Sequence, residues 1–233
     1  MLPIAILAGG LATRLGPLTK NTPKSLIQVA GDPFIAHQLR LLKRNGIEHV
    51  ILCVGHLGER IEQAVGDGRA FAMKVEYSYD GANLLGTAGA IRNALPKLDE
   101  SFFVLYGDSY LPCDYAAVAR AFAEQNKLGL MTVFRNAGQW DTSNVEFDGE
   151  RILAYSKKNR TGRMRYIDYG LGVFRRGAFQ QTKAADLADV YAELLQNGEL
   201  AALEVHERFY EIGSTAGLQE MRNLFSQHGD AQR

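Results

Sequence analysis

The chain has very little from which to build a disulfide framework or a zinc site. Its 233 residues include only two cysteines, Cys53 and Cys113, and they form no CxxC pair. Both lie in or beside apolar runs, so they read as buried thiols of a reducing compartment, and the expected location is the cytoplasm. No stretch approaches the ~18–20 apolar residues of a membrane span. The opening MLPIAILAGG is too short for a signal peptide and has no basic n-region, so none is expected. An excess of one charge is missing too: 26 Lys and Arg offset 26 Asp and Glu. That balance argues against nucleic acid or an anionic membrane as the main partner. Internal repeats, low-complexity tracts and Pro-, Gly- or Ser-rich linkers are also absent.

Short apolar runs, by contrast, are plentiful and regularly spaced. Residues 3–8, 50–54, 74–79, 102–106 and 129–134 read as strands. Between them, residues 33–45, 57–65, 87–95 and 114–125 read as helices, with Phe34, Leu41 and Leu42 near one face of the first. Strands alternating with helices imply an α/β fold with a Rossmann-like, mainly parallel central sheet. Beyond residue 135 the pattern changes. Residues 144–147 and 151–155 flank Asp148-Gly149, a hairpin signal. Residues 166–174, 200–205 and 209–212 read as further strands, and 186–196 and 216–225 as helices. The expectation is one domain over 1–233, in two lobes divided near residue 135. Ligands of such sheets sit beyond the carboxyl ends of the strands.

The segment LAGGLATRLGPLTKNTPKSL, residues 7–26, carries the most chemistry. A buried strand ending in Leu7 and Ala8 runs into Gly9-Gly10. The cations Arg14, Lys20 and Lys24 follow, with no acid before Asp32. Glycines at a strand end let backbone N–H groups approach a phosphate. Arg14 can fork onto phosphate oxygens, and Lys24 adds a mobile point charge after Pro23. Gly9-Gly10 taken alone fits a plain turn equally well. Neither GxxxxGK[ST] nor GxGxxG is present, which argues against a dinucleotide-binding dehydrogenase. Asp108 places a carboxylate at the tip of the run FFVLYG, where it fits either a helix N-cap or a cation ligand.

Together these residues resemble the signature of the sugar-1-phosphate nucleotidylyltransferases, or nucleotide-sugar pyrophosphorylases, in the short form without a C-terminal β-helix domain. In that family a GGxGTRL loop and a TPK lysine embrace a nucleoside triphosphate; here Ala12 replaces the loop's usual glycine. LLGTAGAIRNAL (84–95), YGDS (106–109) and YEIGS (210–214) follow in the expected order. The resemblance implies an Mg²⁺-dependent reaction. A phosphate oxygen of a sugar 1-phosphate attacks the α-phosphorus of a nucleoside triphosphate and releases pyrophosphate, with no protein nucleophile. It implies Arg14, Lys24 and Asp108 as catalytic residues. Leu7, Ala8, Gly9, Gly10, Gly86 and Thr87 would bind the nucleotide, although Thr87 also fits a simple N-cap.

For the metal, the resemblance implies Asp108 together with Glu211, which stands where the family has a second aspartate. For the acceptor it implies Ser143, Asn144, Lys157, Asp168 and Gly170, so residues 136–233 become the acceptor-binding lobe. Ser156 replaces the family's sugar-holding glutamate, and Asp168 stands where an asparagine often precedes glycine. The LGTAG form is closer to guanylyl-transferring members, with a hexose or heptose 1-phosphate as acceptor. Ser156 and Asp168 leave open a cytidylyl- or uridylyltransferase for an unusual sugar or a non-sugar alcohol phosphate. Glu211 leaves open a catalytically silent nucleotide-sugar sensor. The expected partners are small molecules, with the chain a monomer or homodimer. Local charge agrees with polyanionic ligands: residues 157–165 hold five cations and no acid, while 186–211 hold seven acids against Arg208.

Overall fold

A computed structural model describes residues 1–10, 21–136 and 138–228. Ala12, Arg14 and Lys20 lie outside the described residues.

The first half begins with β1 (Ile4–Leu7), a small hairpin of β2 (Gln28–Val29) and β3 (Asp32–Pro33), and α1 (Phe34–Arg44). It continues through β4 (His49–Val54), α2 (Gly58–Val65), β5 (Lys74–Tyr79), α3 (Gly86–Ala94) and β6 (Ser101–Tyr106). Then come β7 (Ser109–Tyr110), α4 (Tyr115–Gln125) and β8 (Gly129–Arg135). The second half holds β9 (Val145–Phe147), β10 (Ile152–Tyr155), β11 (Tyr166–Arg175), α5 (Gly177–Gln180) and α6 (Leu187–Gln196). It ends with β12 (Leu200–Val205), β13 (Tyr210–Glu211) and α7 (Thr215–His228).

β5, β4, β1 and β6 lie in that order, all parallel. Antiparallel β11 extends the sheet beside β6, followed by β8 and then β12, which runs parallel to β8. Period-2 alternation explains the apolar runs. Ile4, Ile6, Val50, Leu52, Phe103 and Leu105 enter one core, whereas Ala5, Ile51, Cys53, Phe102 and Val104 enter the other. Since both faces are covered, neither set needs a polar partner between its members, so the strands read as continuous hydrophobic segments. Among the described residues, no helix is long and apolar enough to cross a membrane.

Three details differ from the sequence reading or add to it. The apolar residues of α1 do not share one face: Leu42 packs with Ile35 and Leu39 against the sheet, whereas Phe34 and Leu41 join Ile212, Leu218 and Met221 under α7. An 11-residue helix wedged between a sheet and a second helix must be apolar on both sides. Secondly, the two halves share one sheet, because β11 pairs with both β6 and β8 of the first half. Thirdly, β13 pairs with β7, a strand too short to be read from sequence, in a ribbon that sets Glu211 opposite Ser109.

β11 also changes register. Asp168 pairs with Val133 but Gly172 with Met131, so β11 holds two extra residues over this stretch, with Gly170 at φ +100° among them. The bulge sits where β11 passes the end of β6, and it turns Asp168 and Gly170 toward the rim.

Candidate active site

β1 is paired in parallel with β4 on one side and β6 on the other. The loops leaving these strands run apart and open a crevice at their carboxyl ends. A cleft of about 260 Å³ lies there, and Leu7, Ala8, Gly9 and Gly10 of the β1 end line it together with Lys24, Gly86, Thr87 and Asp108. All eight were singled out from sequence, so the fold brings together residues up to a hundred positions apart. Arg14 falls outside the described residues. The small side chains Ala8, Cys53 and Ala90 line the same cleft.

Asp108 does not cap a helix. The cap of α4 is Asp114, whose Oδ1 accepts the Ala117 N–H at 3.0 Å. Asp108 instead accepts from the Lys24 ammonium, 2.7 Å from its Oδ2, with the two side chains 23% and 17% exposed. The Ile212 N–H donates to the Asp108 carbonyl at 2.9 Å, so Glu211 is held beside Asp108 by main-chain bonds. Among the described residues no three Asp, Glu, His or Cys side chains converge on one point. The ribbon brings the Glu211 main chain next to Asp108, and a carboxylate at a strand end suits Mg²⁺, which takes one or two carboxylates and fills its remaining positions with substrate oxygens and water.

Thr87 has a second duty. The Leu187 N–H donates to its Oγ1 at 2.7 Å, so the hydroxyl caps the first turn of α6 rather than α3. The Ala88 N–H bonds the Ala185 carbonyl at 2.8 Å, locking α3 to the segment before α6. Gly86 belongs to this joint: its φ is +75°, and a Cβ there would lie 2.5 Å from the Ala185 oxygen. Replacing Thr87 with Val is expected to cost about 1 kcal/mol of stability through the lost cap and to weaken nucleotide binding. Urea unfolding and nucleotide titration read the two effects, and Thr87→Ser should restore both.

Among the cleft residues that the sequence reading gave no role, two bear on the chemistry. Asp80 follows β5 directly. Its Oδ2 accepts a long bond from the Leu85 N–H at 3.4 Å, and its Oδ1 is sealed from solvent with no partner among the described residues. Burial raises the Asp80 carboxyl above the ordinary aspartate range. An acid at the carboxyl end of a parallel strand was the signal that marked Asp108, and the same signal marks Asp80. Tyr106 carried no such signal. Its ring lines the cleft while its hydroxyl lies 3.2 Å from Lys157 Nζ, which also sits 4.9 Å from the ring centre.

Among the residues expected to bind the acceptor, Asn144 Oδ1 accepts the Asp168 N–H at 2.9 Å, and Asp168 Oδ1 accepts the Gly170 N–H at 3.1 Å. The Tyr155 hydroxyl donates to Asp168 Oδ2 at 3.5 Å. Burial raises the Asp168 carboxyl; Lys157, the Gly170 N–H and Tyr155 pull it back. Asn144, Lys157, Asp168 and Gly170 thus form one group beside Tyr106. Ser143 stands apart, lining a separate cavity with Trp140 and Arg165. Ser156 turns its own loop, its Oγ accepting from the Lys158 and Asn159 N–H groups at 3.2 and 2.8 Å.

Both cysteines are free and buried, as expected from sequence. Burial lifts the Cys53 thiol from an ordinary 9.0 to about 12, and its Sγ donates weakly to the Ala90 carbonyl at 3.8 Å. At pH 8 the thiolate population is therefore about a thousandfold below that of an ordinary thiol. Iodoacetamide is expected to leave Cys53 unmodified in the folded protein and to label it only on unfolding, as followed by mass spectrometry. Rapid labelling of the native chain would contradict the burial.

Three comparisons bear on this cleft. A family model described as nucleotidyl transferase matches residues 4–221. An N-acetylmuramate alpha-1-phosphate uridylyltransferase of Neisseria meningitidis is 32% identical over 228 residues, covering 94% of this chain and 96% of that protein. Mannose-1-phosphate guanyltransferase beta-B of Xenopus laevis is 27% identical over 89% of this chain, which spans 60% of that longer protein. Among solved structures, HddC from Yersinia pseudotuberculosis complexed with GMP-PN superposes with a TM-score of 0.80 at 22% identity, covering 97% of this chain and all of that one. That likeness bears on the fold alone. With its family model spanning nearly the whole length and a near-full-length relative above 30% identity, the chain belongs to the nucleotidyl transferase family and is an enzyme.

Proposed function

We propose that this enzyme transfers uridylyl from UTP to the phosphate of an N-acetylated sugar 1-phosphate, N-acetylmuramate 1-phosphate being the first candidate. The carrying observation is the single crevice in which Lys24, Asp108 and the Leu7–Gly10 segment meet Tyr106, whose hydroxyl reaches Lys157 of the acceptor side. The nucleotide lies in the cleft, its triphosphate along the Gly9-Gly10 backbone N–H groups and Lys24. Lys157 and Tyr106 hold the acceptor phosphate at the shared wall. An acceptor oxygen then displaces pyrophosphate in line from the α-phosphorus, and the protein contributes orientation and charge neutralisation. Asp108 and Glu211 would hold Mg²⁺, which when bound neutralises charge developing on the phosphate oxygens. Arg14 supplies a further cation in this reading.

Base choice rests on Asp80. As a carboxylate it accepts a hydrogen bond from the ring N–H of uracil or guanine, while cytosine and adenine present an unprotonated ring nitrogen there. This disfavours the cytidylyl alternative. Uracil is preferred because the relative matching along almost its whole length is named a uridylyltransferase. Guanylyl transfer to a hexose or heptose 1-phosphate is the second reading, supported by the LGTAG loop and the relatives named as guanylyltransferases. A cytoplasmic location fits the two free thiols.

The test is pyrophosphate release from a grid of nucleoside triphosphates and sugar 1-phosphates with Mg²⁺. UTP with N-acetylmuramate 1-phosphate is expected to give the highest kcat/KM, and Asp80→Asn to narrow the gap between UTP and CTP. Highest turnover with GTP would move the assignment to the second reading. Nucleotide binding without turnover on any pair would leave the sensor.

A further inference from the structure

The basic segment 157–165 divides in the fold. Lys157 reaches Tyr106, and Arg163 pairs with Glu146 at 3.3 Å. Arg160 and Arg165 have no carboxylate partner among the described residues, and both line one cavity of about 580 Å³. Two guanidinium groups on one concavity repel each other and raise the local potential, a cost that a bound anion relieves.

The wall of this cavity is built rather than incidental. Asn136 is fully buried, and its side chain is spent on the loop opposite the arginines. Its Oδ1 accepts the Trp140 N–H at 3.1 Å, and its Nδ2 donates to Ser143 Oγ at 3.1 Å and to the Asp141 carbonyl. The Asn136 N–H donates to the Arg165 carbonyl at 3.1 Å, tying the two walls together. Trp140 remains 45% exposed although the Arg208 guanidinium stacks 3.4 Å from its ring centre. Asp141 also lines the cavity, but its Oδ1 accepts the Thr142 N–H at 2.5 Å, and it pairs with neither arginine.

Its position gives the cavity a purpose. It shares no lining residue with the nucleotide cleft. Ser143 on its wall is followed by Asn144, whose side chain holds the main chain of Asp168. We propose that this cavity is a second anion subsite on the acceptor side, receiving a carboxylate or phosphate that the sugar carries away from its C1 phosphate. The inference rests on the acceptor reading above and deepens it: the preferred acceptors bear two separated anions. Arg160 and Arg165 supply forked donors, and Trp140 supplies an apolar surface against the linking carbons.

The test compares acceptors that differ only in the second anion. N-acetylmuramate 1-phosphate is N-acetylglucosamine 1-phosphate with an added lactyl carboxylate. Glucose 1,6-bisphosphate beside glucose 1-phosphate tests a phosphate in the same way. The native enzyme is expected to show a KM at least about tenfold lower for the doubly anionic member of a pair, the scale of one charge-assisted hydrogen bond. The double variant Arg160→Gln, Arg165→Gln should lose that preference while changing KM for the singly anionic member less than about twofold, with kcat and the melting curve unaltered. Equal effects on both members, or no preference in the native enzyme, would overturn the proposal and leave the transferase reading intact. A response to inorganic phosphate with a singly anionic acceptor, abolished in the double variant, would assign the cavity to a free anion instead. Should no pair release pyrophosphate, the transferase reading fails by itself. Calorimetric titration with N-acetylmuramate then reads the cavity directly: binding lost in the double variant upholds it, and no binding to the native chain removes it.

Discussion

Asp108→Asn is expected to lower kcat by about 10²–10³-fold or more while leaving the protein folded. The expectation follows from where the carboxylate stands. It projects from the carboxyl end of β6, bonded to a cation at 2.7 Å, with Glu211 brought alongside by the short β7–β13 ribbon. Asparagine keeps the shape and one acceptor but loses the charge. In stability, the ion pair counts for more than a surface pair, since its partners are only 17% and 23% exposed, but the asparagine oxygen still accepts from Lys24 and holds the cost to about 1–2 kcal/mol. Turnover should therefore collapse while the melting temperature moves by only a few degrees. Manganese titration monitored by electron paramagnetic resonance offers a second readout, with the affinity of the nucleotide-bound variant expected to fall alongside turnover. Near-native turnover in excess Mg²⁺ would remove Asp108 from the cation site.

Gly107→Ala is expected to disturb the fold and the site together. A Cβ at this position would lie 2.5 Å from the Leu7 carbonyl oxygen and 3.0 Å from Ala8 Cα. These are backbone atoms of the central strand and the residue beyond it, and β1 is fixed on both sides by β4 and β6. The strand end has no side chain to rotate out of the way, so it must shift or β6 must. Overpacking of this kind costs about 1–3 kcal/mol, which for a chain of this size lowers the melting temperature by roughly 3–10 °C. The same shift moves Leu7–Gly10 relative to Asp108, and a displacement near 1 Å at a reacting centre costs about 10²-fold in rate. Calorimetry and steady-state kinetics on one preparation read both. Unchanged values in each would mean that the β1–β6 rim yields more easily than its packing implies.

The parallel sheet was legible because burial on both faces writes itself into the chain as apolar runs. Residues 200–205 and 50–54 were found as β12 and within β4 on that signal alone. What the same signal hides is the facing of α1, since a helix buried on two sides has no single stripe. The two-residue strands β2, β3 and β7 are also invisible, being too short for a period to register. Thr87 was open between a cap and a nucleotide contact. The structure turns its hydroxyl to a helix one hundred residues further along, a partner that no local pattern can reveal.

By itself the sequence determined the fold class, the order of the longer strands and helices and, through the motifs that carry the family resemblance, eight residues of the cleft at the strand ends. These depend on local propensity, on periodicity and on glycine and charge at strand ends, all of which are properties of neighbouring residues. Only the tertiary structure decided that Lys24 pairs with Asp108, that Glu211 stands beside them, and that Tyr106 reaches from the cleft to Lys157. It also divided the cations of 157–165 between an ion pair, the Tyr106 contact and a separate cavity. Such assignments depend on register across the sheet and on the two-residue bulge in β11, where a shift of one position turns every side chain to the opposite face. Which charges are present is written along the chain; which of them meet is fixed by how the strands pair.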